Sequence, residues 1–296
     1  MKLKVLVDNN TLTDRYFRGE PGISFFIEDR SKKILFDVGY SGLFLENAFK
    51  MGIDLLETDF VVLSHGHLDH TWGLDPLVRL ITEAKIEGID AKTPTLVAHP
   101  DAFLPRKVGG LGEIGPLISE EEISRHFEMA LSRGPFWLTD RLVFLGEIER
   151  SNDFEAKIPL GKILAEEGEK DDFLMDDSAL AFRSAEGLVI VSGCSHSGIC
   201  NIIEQATRVF GERRILDVVG GFHLLNPPER QMIETLRYFE RAQPREIHAC
   251  HCTDLASKVA LAGVANLKEV GVGLDLEYES NGRRRTPQQA SGYSNK

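Results

Sequence analysis

The sequence predicts a layered α/β sandwich (an α+β arrangement) built as one domain in two halves. Each half opens with short strands rich in Val, Ile and Phe and continues with strand–loop–helix units. That segregation suits stacked layers better than a doubly wound sheet. With 296 residues, 42% of them hydrophobic, the chain also has enough apolar material to fill a large core.

The first half starts with three strand-like runs, KLKVLVDN, GISFFIED and KKILFDVG, each closed by Asp, Asn or Gly. Ser41 to Lys50 has apolar residues three and four apart and predicts a helix, with Gly52 just past its end. TDFVVLS is nearly continuous in apolar residues and suits a strand buried on both faces. SHGHLDH follows at once, and TWGLDPLVRLI begins a helix, so the histidines sit on a strand-to-helix loop. Residues 80–175 are less regular. TPTLVAHP reads as a strand, but the Gly-, Pro- and acid-rich remainder reads as an insertion of helices and loops, a lid rather than a second domain. The second half brings strands SALAFRS and GLVIVSG, helix SGICNIIEQATRVFG and strand RRILDVVGG. A helix opened by Pro227 and Pro228 comes next, then REIHACH, a helix from Asp254, and NLKEVGVGLDLEYE. The expected domain spans residues 1–280, and 281–296 read as a polar, frayed tail.

Charge narrows the partners. Lys and Arg number 34 against 46 Asp and Glu, a net charge of −12, which argues against nucleic acid while allowing a small anionic substrate. No apolar run reaches the length of a membrane span, and the N-terminus is too polar for a signal peptide. The four cysteines fall in the last third and do not resemble a disulfide framework, so the expected compartment is the cytoplasm. Composition leaves a homo-oligomer open.

The chemistry begins with His65-Gly66-His67-Leu68-Asp69-His70. Neutral imidazole is a common metal ligand, and alternation along an extended loop points His65 and His67 the same way, toward one ion. Asp69 and His70 point differently and can grip a second ion a few ångströms away. Gly66 is read as removing a side chain that would crowd the imidazoles.

These residues, after a buried strand and before a helix, resemble the HxHxDH signature of the metallo-β-lactamase fold superfamily. Asp37 in ILFDVG matches the aspartate that ends an early strand there and supports the metal site from below. The resemblance runs from about residue 3 to residue 278 and implies an αβ/βα sandwich with two divalent metal ions at one end. Zinc is the first choice, with manganese, iron or magnesium also suited. The second half must supply further ligands, and Cys194, His196, His223 and His251 are the candidates, each just after an apolar strand. His196 has small neighbours that let it reach an ion, and His251 stands where the superfamily places its last histidine. Most members carry an aspartate or a cysteine where this chain has GCSH, so Cys194 is either a thiolate ligand or a small buried residue beside the true one. Asp69 and His223 are the candidates for catalytic roles, His223 also for substrate binding or support from behind. Cys250 and Cys252 read as packing residues, and His126 and His248 as surface and core. Gly110-Leu-Gly112-Glu-Ile-Gly115 matches the letters of a dinucleotide fingerprint but lacks its preceding strand, and Pro116 stands where its helix would run.

GCSHSGICNII, GGFHLL, HCTD, DDSALAF and AHPDAF together resemble a narrower branch, the one that includes 7,8-dihydropterin-6-methyl-4-(β-D-ribofuranosyl)aminobenzene-5′-phosphate synthase. The activity so implied joins a dihydropterin diphosphate to an aminobenzene ribosyl phosphate, with loss of diphosphate and carbon dioxide. His99, Phe103 and Arg106 in the insertion are then the expected substrate contacts, Phe103 stacking on a flat ring and Arg106 pairing with phosphate. Two alternatives stand beside this transferase. One is a metal-dependent hydrolase of a small ester, lactone or phosphodiester, with no G-x-S-x-G elbow to compete. The other is a non-catalytic metal-binding or redox module on the same fold.

Overall fold

The computed structural model describes residues 1–165 and 168–279, so the polar tail lies outside the described residues. In chain order the first half contains β1 (Lys2–Val7), β2 (Ser24–Asp29), β3 (Lys32–Phe36), α1 (Leu43–Lys50) and β4 (Phe60–Val62). The short α2 (Leu68–Thr71), then α3 (Leu74–Ile86), β5 (Thr95–Ala98), β6 (Arg106–Lys107), α4 (Glu120–Ile123) and β7 (Glu128–Leu131) follow. The second half contains β8 (Phe136–Trp137), β9 (Leu142–Phe144), β10 (Lys162–Ala165), β11 (Gly168–Asp171), β12 (Ala179–Arg183) and β13 (Leu188–Ser192). It closes with α5 (Ile199–Phe210), β14 (Ile215–Gly221), α6 (Glu229–Ala242), β15 (Glu246–Cys250), α7 (Leu255–Ala262) and β16 (Asp275–Glu277).

These elements form a seven-stranded sheet, β16-β1-β2-β3-β4-β5-β7, and a six-stranded sheet, β15-β14-β13-β12-β9-β8. The layers are an αβ/βα sandwich. One core cluster takes side chains from both sheets, among them Val5, Phe25, Phe36, Phe144, Phe182 and Val191. A second packs α1 and α3 on the first sheet, and a third packs α5, α6 and α7 on the other. Helix α5 shows why the helices dock: Ile199, Ile202, Ile203, Ala206 and Phe210 repeat at helical spacing and are buried, and Gly211 ends the helix in the left-handed region at φ 60°.

The expected insertion is largely part of this frame. Strands β5 and β7 run parallel to β4 in the first sheet, and β8 and β9 pair antiparallel toward β12 in the second. Among the described residues only β6, β10 and β11 stand apart, as a small three-stranded sheet. EMAL, FW and LVF are too short to show a period, and only their neighbours make them strands.

Strand direction then positions the site. β3, β4 and β5 are parallel in one sheet, and β13, β14 and β15 in the other. Asp37, the histidine loop, Cys194 with His196, His223 and His251 each follow the carboxyl end of one of these strands. Loops at such ends are where layered α/β sheets gather ligands.

Candidate metal centre

His65 and His70 are fully buried, His67 and His196 nearly so. The ring of His65 lies 4.7 Å from those of His67 and His196 and 4.2 Å from that of His70. The ring of His251 lies 5.2 Å from His70. Two donor groups result, His65–Cys194–His196 and His70–Cys194–His251, each with its ligand atoms within 4.8 Å of one another. Cys194 belongs to both. Of the two alternatives, Cys194 and His196, both side chains face the cluster. Asp69 joins the second group, its carboxylate 3.3 Å from His251 Nε2 and 3.8 Å from His70 Nε2.

The cluster is held in place from behind. Asp37, at φ 55°, accepts from Ser64 N and Ser64 Oγ and meets His70 Nδ1, all at 2.7 Å. His251 donates its backbone N–H to Asp8, and its Nδ1 lies 2.9 Å from Asn9 Oδ1, which turns Nε2 toward Asp69. Gly66 matters for a reason the sequence reading did not give. A methyl there would be driven into the Ala102 carbonyl, and its N–H donates to Asp176 Oδ2 at 2.8 Å.

The donors differ in their protonation. Burial holds His65 and His196 well below the ordinary imidazole value, and burial with the Arg106 charge brings His67 to about 3. These imidazoles are neutral and ready to ligate. Burial opposes a charge on His70, yet Asp69 and Asp37 outweigh it and raise that imidazole to about 9. Against the upward push of burial, His70 and His251 keep Asp69 below the usual carboxylate range. Burial pushes the Cys194 thiol up, so a thiolate there calls for a neighbouring cation. The atom His196 Nε2 is buried without a hydrogen-bond partner, a costly arrangement that a cation would relieve. His65 Nε2 and His67 Nδ1 lie 3.0 Å apart, close to the about 3.4 Å expected of two imidazole ligands at tetrahedral angles on one zinc ion. The residues fit a bound metal ion.

The expected substrate contacts are corrected. Arg106 is fully buried, bridged to Asp176 at 2.9 Å and Asp172 at 3.3 Å, and it donates to the Asp101 carbonyl. It buttresses the Gly66 turn through Asp176 and has no free face for phosphate. Phe103 is buried in the core against α1 and α3. His99 is buried too, accepting from Asp101 N and meeting Glu147 and Arg133. Other residues around the centre were given no site role by the sequence reading. Asp176 and Asp177 are adjacent buried carboxylates ahead of β12, in the DDSALAF stretch that carried the resemblance but was given no site role. Burial pushes Asp177 up to about 6, although Ser197 donates to it twice. Cys252 is more than packing: it accepts from His223 N at 3.3 Å and donates to the Cys194 carbonyl. His223, at φ 49°, lies 4.2 Å ring to ring from His196, and its Nδ1 is buried and unpartnered.

The sequence pattern of the family described as the metallo-beta-lactamase superfamily matches residues 18–210, most of the first half and the start of the second. The chain belongs to the metallo-beta-lactamase superfamily. Within it, the chain is 30% identical over 269 residues to the 7,8-dihydropterin-6-methyl-4-(beta-D-ribofuranosyl)-aminobenzene-5′-phosphate synthase of Methanocaldococcus jannaschii, covering 86% of this chain and 87% of that one. An uncharacterised protein of the same organism is also 30% identical, over 92% of this chain and 98% of its own. Among solved structures, one described as a metal-dependent hydrolase of the beta-lactamase superfamily superposes with a TM-score of 0.78 at 28% identity, covering 94% of this chain and 99% of that one. Members of this superfamily are metal-dependent, in keeping with the donor groups above.

Proposed function

We propose that this chain is a dinuclear-metal transferase of the dihydropterin–ribofuranosylaminobenzene phosphate synthase type, acting on a small, anionic, phosphorylated pterin-like substrate. The observation that carries this reading is the 30% identity to that synthase along almost the full length of both chains. His65, His67 and His196 would hold one ion, and Asp69, His70 and His251 the other, with Cys194 between them. When bound, such ions supply Lewis-acid stabilisation of negative charge on a departing diphosphate.

The chain's own residues do the rest. Asp37 and Asn9 fix the ring orientations of His70 and His251, so little reorganisation is left for the reaction. His223 presents its buried Nδ1 beside His196 and holds a proton there against the substrate, while its backbone N–H stays tied to Cys252. Asp69 keeps a negative carboxylate within reach of both His70 and His251.

A second reading, hydrolysis of a small ester, lactone or phosphodiester, is supported by the 28% identical structure described as a metal-dependent hydrolase. One assay separates the two. The metal-loaded chain is given a dihydropterin diphosphate with the aminobenzene ribosyl phosphate, and in parallel a panel of esters and cyclic phosphates. Release of diphosphate only when both partners are present supports the synthase; turnover of the panel alone removes it.

A further inference from the structure

With His99, Phe103 and Arg106 committed to the core, a substrate needs another wall. A cavity of about 350 Å³ opens on the His196 and His223 side of the centre, a size suited to a small organic ligand. Its walls come from residues 153–160 with 173–174 on one side and 225–231 on the other, and its inner end from Ser195, His196, Gly198 and His223.

Three features of this cavity point to its ligand. Apolar side chains line it while open to solvent: Ile158 is 74% exposed, Leu225 69% and Phe173 39%. Grouped around one opening, such side chains mark a surface built to be covered. At its inner end the buried Nδ1 of His223, a lining residue, has no hydrogen-bond partner, so the floor carries an unsatisfied polar atom. At the rim, Asp153 and Arg230 pair at 2.5 Å between the two walls, and Lys157 adds a second cation whose charge also acts on Asp153. The rim therefore carries a net positive charge in a chain whose total is −12.

We propose that this cavity is the binding site for a planar heteroaromatic substrate bearing an anionic group, with the ring against Phe173 and Leu225 and the anion at Lys157. The choice of a pterin as its probe rests on the synthase reading; the walls and the charge do not.

The test is a fluorescence titration of the full chain with pterin-6-carboxylate and with unsubstituted pterin. The expected result is saturable quenching by the wild-type chain. Phe173→Ala weakens both ligands about tenfold, and Lys157→Gln weakens the carboxylate about fivefold while leaving pterin unchanged. Both side chains are solvent-facing, so the variants should melt with the wild type, which is checked by circular dichroism. No saturable quenching in the wild type, or equal affinities in all three proteins, overturns the proposal. The predicted variant pattern in a chain that releases no diphosphate from the two synthase substrates upholds the cavity and removes the synthase reading. Release of diphosphate with unaltered affinities in both variants does the reverse.

Discussion

Four residues at the centre adopt left-handed backbone: Asp37, Ser195, His223 and His251, with φ between 49° and 64°. For residues other than glycine this costs of order 1–3 kcal/mol each, and such strain clusters at functional sites. Asp37 shows what holds it: three hydrogen bonds at 2.7 Å, all buried. Asp37→Ala should cost about 3 kcal/mol in urea unfolding, through the stranded Ser64 N–H and His70, whereas Asn, which tolerates this backbone, should recover part of the loss. Cys194 is the sharper case, shared by both donor groups. Cys194→Ala should lower metal content from two ions per chain to one or fewer by elemental analysis, with activity down at least 100-fold, and Cys194→Asp should recover ions better than Ala does. The histidine loop was legible because its ligands are contiguous and of one chemistry. Arg106 was misread because its partners, Asp172 and Asp176, lie more than sixty residues away, and nothing local distinguishes a buried guanidinium from a phosphate clamp.

Among elements, long periodic segments announced themselves and short ones did not. α5 was visible from its apolar repeat, while β6 is only Arg106–Lys107 and is defined by pairing with β10. Arg106 ties that small sheet to the metal loop. Arg106→Ala should lower stability by about 3–5 kcal/mol through the two carboxylates it strands, and Lys should not rescue it, lacking the planar fork. Helix α5 offers a pH test. Glu155 accepts from Cys200 N and Asn201 N at the start of the helix, and its burial raises its pKa above the ordinary 4.5. A carboxyl raised in the folded state keeps its proton better when folded, so the wild type loses stability relative to Glu155→Gln as pH rises from 4.5 through the folded value. Denaturant unfolding at pH 4 and pH 7 should show the wild type's advantage shrinking at the higher pH; a constant difference would contradict it.

At the scale of the molecule, the centre joins two sheets that otherwise share an apolar interface. The frame was readable as two halves because each repeats strand, loop and helix. Within residues 80–175 only the β5 strand was visible; what stayed hidden was that β7, β8 and β9 also join those sheets, since pairing between strands leaves little trace in segments of two to four residues. Ions held from both halves should clamp the sandwich. A chelator should lower Tm by about 10 °C, the consequence of losing roughly 4 kcal/mol of linked binding. The most direct test of the central claim is diffraction from crystals of the metal-loaded chain at the anomalous edges of zinc, manganese and iron. The account predicts two ions within a few ångströms of each other, one beside His65, His67 and His196, the other beside Asp69, His70 and His251, with Cys194 Sγ next to both. A single ion away from Cys194, or no anomalous peak among these histidines, would contradict it.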